Sequence, residues 1–257
     1  MKTGLWILAV LFIGVSCAEA AAVGSAVEVS IVTDQGQSLS LYPATAARGL
    51  KKVYAEAVRG DYYVIVVANR LDRRVGVVIA VDGRNIISGQ KSWLANTERM
   101  YILEPHSRYE YSGWRTAQDR VNRFYFTDAP DSYAAAFGDE SAMGVIAVAA
   151  YPEVRRREPP AGLSAPLERS KAGSARDAAP SAESQAAGTG YGHEEHSPSY
   201  LVRFDPEKKA VETILIKYEW RESLCKIGII RCGTHYGKTY NRLWDDYGYA
   251  PPPPGRR

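Results

Sequence analysis

"RRVGVVIAVDGRNIISGQKS", residues 73–92, sets an aliphatic run against an Asp-Gly pair and a second short apolar run closed by Gly89. Asp82-Gly83 between two such runs predicts a two-residue hairpin turn, because both residues tolerate positive φ. A calcium loop would need acidic or amide ligands at alternate positions, and Arg84 stands where the second is wanted. The stretch therefore reads as a bend between two strands. Its tip keeps a possible role: Asp82, Arg84 and Asn85 are expected to project where a sandwich presents its binding loops.

Strand patterns continue on both sides of this turn. "AVEVSIVT" (26–33) alternates, "DQGQ" turns, and "SLSLYP" (38–43) returns. "VYAEAVRGDYYVIVVANR" (53–70) holds two strands about Arg59-Gly60-Asp61. "RMYILEP" (99–105) and "RYEYSGWR" (108–115) read as a pair around Pro105-His106, and "NRFYFT" (122–127) is β-prone. "DSYAAAFGDES" (131–141) is a helical patch, capped by Asp131 or Ser132 and ended by Gly138. "GVIAVAAYPE" (144–153) is apolar throughout, the mark of a central strand covered on both faces.

From Val154 to Gly190 the composition changes. This segment has no aromatic residue and few large aliphatics, too little apolar surface to offset chain entropy, and reads as a disordered linker or insertion. Residues 191–249 then supply "SYLVRF" (199–204), "VETILIKYEW" (211–220) and a turn of helix at "ESLCKIG". Two strands do not make a stable domain, so they are expected to complete the fold of residues 21–153. Residues 250–257 form a Pro-rich basic tail. The fold class expected is all-β: an antiparallel β-sandwich of nine to ten strands, jelly-roll or immunoglobulin-like, with one short helix and a long disordered insertion.

The ends bear on location. Residues 1–20 read as a cleavable signal peptide: Lys2, the apolar Leu5–Val15, then the small residues of Ala18-Glu19-Ala20. The mature protein is expected to be periplasmic or secreted. Lipidation at Cys17 is disfavoured because Gly14 stands where a lipobox carries Leu. No later stretch suits a transmembrane helix. The net charge of +3 is too mild to argue for nucleic acid. Cys225 and Cys232 are expected to join in a local disulfide, since redox pairs are usually spaced by two residues.

Several stretches together, "YAEAVRGDYYVIVVANRLDRRVGVVIAVDGRNIISG", "GWR", "NRFYFTDAPDSYAAAFGDESAMGVIAVAAYPE" and "GTGYG…SYLVRFDPEKKAVETILIKYEWRESLCKIGI", resemble a family of exported bacterial hypothetical proteins of unassigned function. The resemblance covers most of residues 50–230. It implies a secreted or envelope domain and brings no catalytic residues with it. The cysteine pair and the "YGYAPPPPGRR" end stand outside the pattern.

Candidate chemistry is sparse. His193 and His196 in "GHEEHS" could hold a metal if helical, with His106, His235 or Glu222 as a third ligand, but an exposed polar loop accounts for them as well. Acid catalysis on a glycan or peptide would draw on loop carboxylates such as Asp82, Asp128 and Asp131, and nothing in their spacing pairs them. "GTGYG" lacks the Lys and helix of a phosphate loop. No cofactor motif is present. The 17 Tyr and 5 Trp are the better lead, since exposed rings stack on sugars or anchor protein partners. Trp114, Phe124 and Phe126 are assigned to the core; Trp93, in the loop "GQKSWLANTE", is the binding candidate, with exposure and burial both open. The function expected is a non-catalytic envelope-associated module with an envelope protein or polysaccharide as partner. A periplasmic hydrolase is the alternative and a metal-binding protein a weaker one.

Overall fold

The computed structural model describes residues 20–155 and 186–232. Its first half runs β1 (Val27–Thr33), β2 (Leu41–Ala47), β3 (Leu50–Ala57), β4 (Tyr62–Asn69), β5 (Val75–Val81) and the two-residue β6 (Arg84–Asn85). Next come β7 (Tyr101–Leu103), β8 (Arg108–Tyr111), β9 (Gly113–Arg115) and the long β10 (Arg120–Asp128). Two 3-10 turns, Ala129–Asp131 and Ala135–Phe137, lead into β11 (Val145–Pro152). Beyond residue 185 follow β12 (Ala187–Thr189), β13 (Glu194–His196), β14 (Glu212–Trp220) and the short helix α1 (Arg221–Lys226).

These strands form two sheets. One runs β1-β4-β10-β12, with β8 beside β4 and both β9 and β13 beside β10; the other runs β2-β3-β14-β11-β5-β6, with β7 beside β5. Their inner faces meet in one hydrophobic cluster. Val29, Ile31, Tyr63, Ile65, Phe124 and Phe126 come from the first sheet, and Val77, Ile79, Ile146, Val148, Ile214 and Ile216 from the second. Each such side chain, fully buried, contributes about 1.5–3 kcal/mol before chain entropy is set against it. The molecule is the β-sandwich that the alternation predicts. One pairing departs from the antiparallel rule: β14 lies parallel to β3, from Leu50↔Thr213 to Ala57↔Trp220.

β14 alternates strictly, with Glu212, Ile214, Ile216, Tyr218 and Trp220 turned inward. β5 is buried at every position and β11 at all but its first. Sheet neighbours cover their inner side. On the outer side Leu94, Met100 and Ala210 pack onto Val78, Ala149 and Tyr151. The start of β1 is held by a carboxylate: Glu212 accepts the backbone N–H groups of Ser25, Ala26 and Val27 and the Ser25 hydroxyl. Ala20, where the expected signal ends, makes a bridge to Leu41.

Several expectations are corrected. The described residues form fourteen strands rather than nine or ten, because short ladders flank the long ones. Residues 199–204 are not a strand: they cross from one sheet to the other, with Ser199 N–H on the Gln118 carbonyl at one end and Arg74 on the Arg203 carbonyl at the other. β7 and β8 do not pair; they leave His106, at φ 55°, for different sheets. Only Arg84–Asn85 of the second run of the hairpin is strand. The helical patch is two 3-10 turns, with Ser132 Oγ accepting the Ala135 N–H and Gly138 ending the second at φ 67°.

The expected insertion also shrinks at its far end. Ala187–Thr189 is buried and paired with Phe126–Asp128. "GTGYG" is glycine-rich because the chain is closely packed on its neighbours: a Cβ on Gly190 would sit 2.2 Å from the Tyr125 ring, and one on Gly188 2.7 Å from the Ser132 side chain. The expected signal peptide up to residue 19 (Cys17 included), residues 156–185 of the expected insertion and residues 233–257 with the Pro-rich tail lie outside the described residues.

Candidate functional site

Asp82 and Gly83 have φ 49° and 79°, the two positive values of a type I′ turn, and Val81 pairs with Arg84 across it. The turn is as the sequence implies; the direction of its side chains is not. Asp82 and Asn85 face inward and are buried, so they do not project as a binding tip. Asp82 Oδ1 accepts the Gly144 N–H at 2.8 Å and the Tyr218 hydroxyl at 2.6 Å, and Oδ2 accepts the Thr189 N–H at 2.7 Å. Thr189 Oγ1 lies 2.7 Å from Tyr218 Oη and 2.8 Å from Tyr63 Oη. An ionised carboxylate only accepts, so the hydroxyls align in one direction: Tyr63 to Thr189, Thr189 to Tyr218, Tyr218 to Asp82. One side chain thereby ties β5, β11, β12 and β14 together and draws in β4.

Burial pushes the Asp82 carboxyl up to about 6, against the opposing pull of Tyr218, the Thr189 and Gly144 N–H groups and the Lys217 charge. Burial also raises the Tyr218 phenol, and the Asp82 charge raises it further. Asn85 folds back on the loop after it, its amide donating to Glu98 and the Arg99 carbonyl while its oxygen accepts the Ile87 N–H. Arg84 alone of the three reaches the surface. Its guanidinium lies 4.1 Å from the centroid of the Phe137 ring, and it donates to the Gly89 carbonyl at 2.7 Å.

Trp93 is 75% exposed, and its loop is built rather than loose. Glu98 Oε1 accepts the N–H groups of Trp93 and Ala95, both at 2.9 Å, and Oε2 accepts the Ser92 hydroxyl at 2.7 Å. Leu94, at φ 57°, turns inward onto Val78 and Tyr151. The backbone therefore inverts at residue 94 to bury a leucine and leave a tryptophan in solvent. Lys91 connects this ring to the next feature: its Nζ is 5.6 Å from the Trp93 ring centroid and 3.5 Å from Asp139.

Two residues before Asp139 lies Phe137, in the wall of an open cleft of about 480 Å³. Tyr133, Tyr191, Phe137, Tyr125 and Trp114 supply its aromatic lining, and Arg115, Asp131, Ser88 and Thr116 its polar atoms. Tyr133 stacks against Tyr191 with centroids 5.5 Å apart and planes within 15°, and tilts over Trp114 at 4.3 Å. Trp114 is anchored beneath by donating to the Gly190 carbonyl. Phe137 and Tyr191 are about half exposed. Burial, then the nearby Tyr133 and Glu194, raise the Tyr191 phenol, which keeps it a neutral hydroxyl donor. Sequence reading missed Tyr133, Phe137, Tyr191 and Arg115 as site residues. The available signal is Tyr133 and Phe137 flanking "AAA", a spacing that the expected helix absorbs.

The remaining candidates are scattered. His196 lies in β13 and His193 just precedes it, ring against Tyr62 at 5.2 Å; a strand does not bring i and i+3 together as a helix does. Among the described residues no group of three or more His, Cys, Asp or Glu could hold a metal ion. Asp128 pairs with Arg59 at 3.1 Å, and Asp131 is the one carboxylate of the described cleft wall. Cys225 and Cys232 form a disulfide closing the end of α1. No helix among the described residues is long and apolar enough to cross a membrane.

Fold and site together define a class: a β-sandwich with an aromatic cleft and a displayed tryptophan beside it. Compared with protein-family models, with curated proteins and with solved structures, the chain matches none.

Proposed function

We propose that the chain is a secreted or periplasmic, non-catalytic β-sandwich serving as an envelope-associated binding module, and that its loop end binds polysaccharide. The observation that carries this reading is the joint display of Trp93 and the Tyr133–Tyr191–Phe137 cleft, linked through Lys91 and Asp139. Holding a tryptophan in water on a loop fixed by one carboxylate has no benefit to packing. Flat rings suit the C–H faces of a sugar, whose weakly positive hydrogens sit on the negative ring face. The exported-protein resemblance and the disulfide support a location outside the cytoplasm.

Co-sedimentation with insoluble envelope polysaccharide, peptidoglycan sacculi included, tests the reading. The wild-type protein is expected in the pellet, and Trp93→Ala or Tyr191→Ala in the supernatant. Wild-type protein left in the supernatant, or pelleting indifferent to both substitutions, would overturn it.

A further inference from the structure

The cleft carries a charge that the fold does not neutralise. Many arginines elsewhere on the sandwich have acidic partners, among them Arg59 with Asp128, Arg70 with Glu28, Arg73 with Glu207, Arg74 with Glu153 and Arg123 with Asp34, whereas Arg48, Arg99 and Arg203 share the want of a carboxylate partner among the described residues but do not line this cleft. Arg84 and Arg115 pair with no carboxylate among the described residues. Arg115 lines the cleft, fixed by neutral groups only. Its Nε donates to Tyr101 Oη at 2.8 Å, Nη1 to the Ser197 carbonyl at 2.8 Å, and Nη2 to the Ser197 hydroxyl at 3.1 Å. Arg84 stands behind the cleft wall rather than in it: its guanidinium carbon is 4.1 Å from the centroid of the wall residue Phe137, it gives one N–H to the carbonyl of the wall residue Gly89, and its Nε is buried with no partner. A guanidinium offers five donors; Arg115 Nη1 also donates to the Ala117 and Gln118 carbonyls, so Arg115 retains one Nη2 hydrogen for a ligand and Arg84 retains hydrogens on Nη1 and Nη2.

We infer that the ligand of this cleft is an acidic saccharide, whose ring stacks on Tyr133, Tyr191 and Phe137 and whose carboxylate is received by Arg84 and Arg115. The inference rests on the saccharide reading above and specifies its charge. The remaining lining fits the same ligand: Ser88, Thr116 and the Tyr191 hydroxyl face sugar hydroxyls, and Asp131 accepts from them. Arginines already held in place give a carboxylate charged hydrogen bonds without ordering two long side chains on binding.

The test compares one backbone in two charge states. Oligogalacturonate and its methyl ester, of equal length, are titrated into the full chain and binding is measured calorimetrically. The free acid is expected to bind at least about tenfold more tightly, as one or two charged hydrogen bonds imply. The preference should collapse in Arg84→Gln, be partly kept in Arg84→Lys, and decline as salt rises. Arg84 is the chosen position because Arg115 also holds the 197 segment in place. Equal binding of acid and ester overturns the inference and leaves the saccharide reading standing. A preference that survives Arg84→Gln, Arg115→Gln and their combination in folded protein overturns the arginine assignment. Failure of both oligomers, when sacculi are bound with no salt dependence, overturns the acidic ligand; failure of every saccharide overturns both proposals.

Discussion

Two clusters rich in tyrosine adjoin each other near one hairpin, joined where the Tyr133 N–H donates to the Thr189 carbonyl. The cluster around Asp82 is closed: Tyr63, Thr189 and Tyr218 have no exposed surface and each hydroxyl is matched. The cluster around Tyr133 is open, with ring stacked on ring and Phe137 and Tyr191 facing solvent. Similar residue types thus serve two ends. Where a carboxylate sits at the centre, the hydroxyls are consumed and the result is cohesion between strands. Where arginines sit at the edge and two of the stacked rings stay about half exposed, the result is a surface with unused donors.

Substitutions can pull the two clusters apart. The largest effect is expected from Asp82→Ala, which leaves the Gly144 N–H, the Thr189 N–H and the Tyr218 hydroxyl without an acceptor inside the core. Its cost is roughly 3–5 kcal/mol by urea unfolding, given about 1–3 kcal/mol for each buried group left unmatched. A loss below about 1 kcal/mol would mean that the closed cluster is not what joins these strands.

Asp82→Asn is milder, about 1–3 kcal/mol, because an amide nitrogen then faces the Thr189 N–H. Here pH separates charge from shape. A carboxyl raised to about 6 holds its proton more tightly in the folded than in the unfolded chain. Its contribution to wild-type stability is therefore full near pH 4 and is lost as the pH climbs through about 6. The gap between wild type and Asp82→Asn should narrow over that interval in unfolding curves at stepped pH. A gap that widens has the wrong sign for this account.

Smaller effects belong to the open side. Glu98→Ala should cost about 1–2 kcal/mol and weaken saccharide binding several-fold, because Ser92, Trp93 and Ala95 lose their common acceptor. Trp93→Ala should change stability by no more than about 0.5 kcal/mol, as a mostly exposed ring should, yet reduce binding more than Glu98→Ala does. If thermal melts show a large loss for Trp93→Ala, the ring belongs to the packing and the contrast between the clusters fails.

The sandwich was legible where pattern and geometry coincide. β5 and β11 are readable because strands covered on both faces must be apolar throughout, and the turn because Asp-Gly has few other uses. The inward aim of Asp82 was not readable. It depends on partners 62, 107 and 136 residues away, and a polar residue in a turn looks the same whether it meets water or a buried hydroxyl. The cleft was hidden for a related reason: residues 86–89, 114–116, 125, 131–137 and 191 form it from five separate segments. Residues 199–204 misled because "SYLVRF" has strand chemistry, yet the segment bridges two sheets and leaves Tyr200 and Leu201 almost fully in solvent.

The position of β14 bears on the order in which the molecule can assemble. It occupies the slot between β3 and β11, so a chain emerging from its N-terminus has both edges bare until Trp220 is made. Bare edges recruit other strands, and contacts between residues this far apart in sequence close slowly. Premature closure is thus prevented by topology: the sheet stays open between β3 and β11 until Trp220 exists, and a product truncated before residue 212 is an aggregation hazard rather than a smaller working protein.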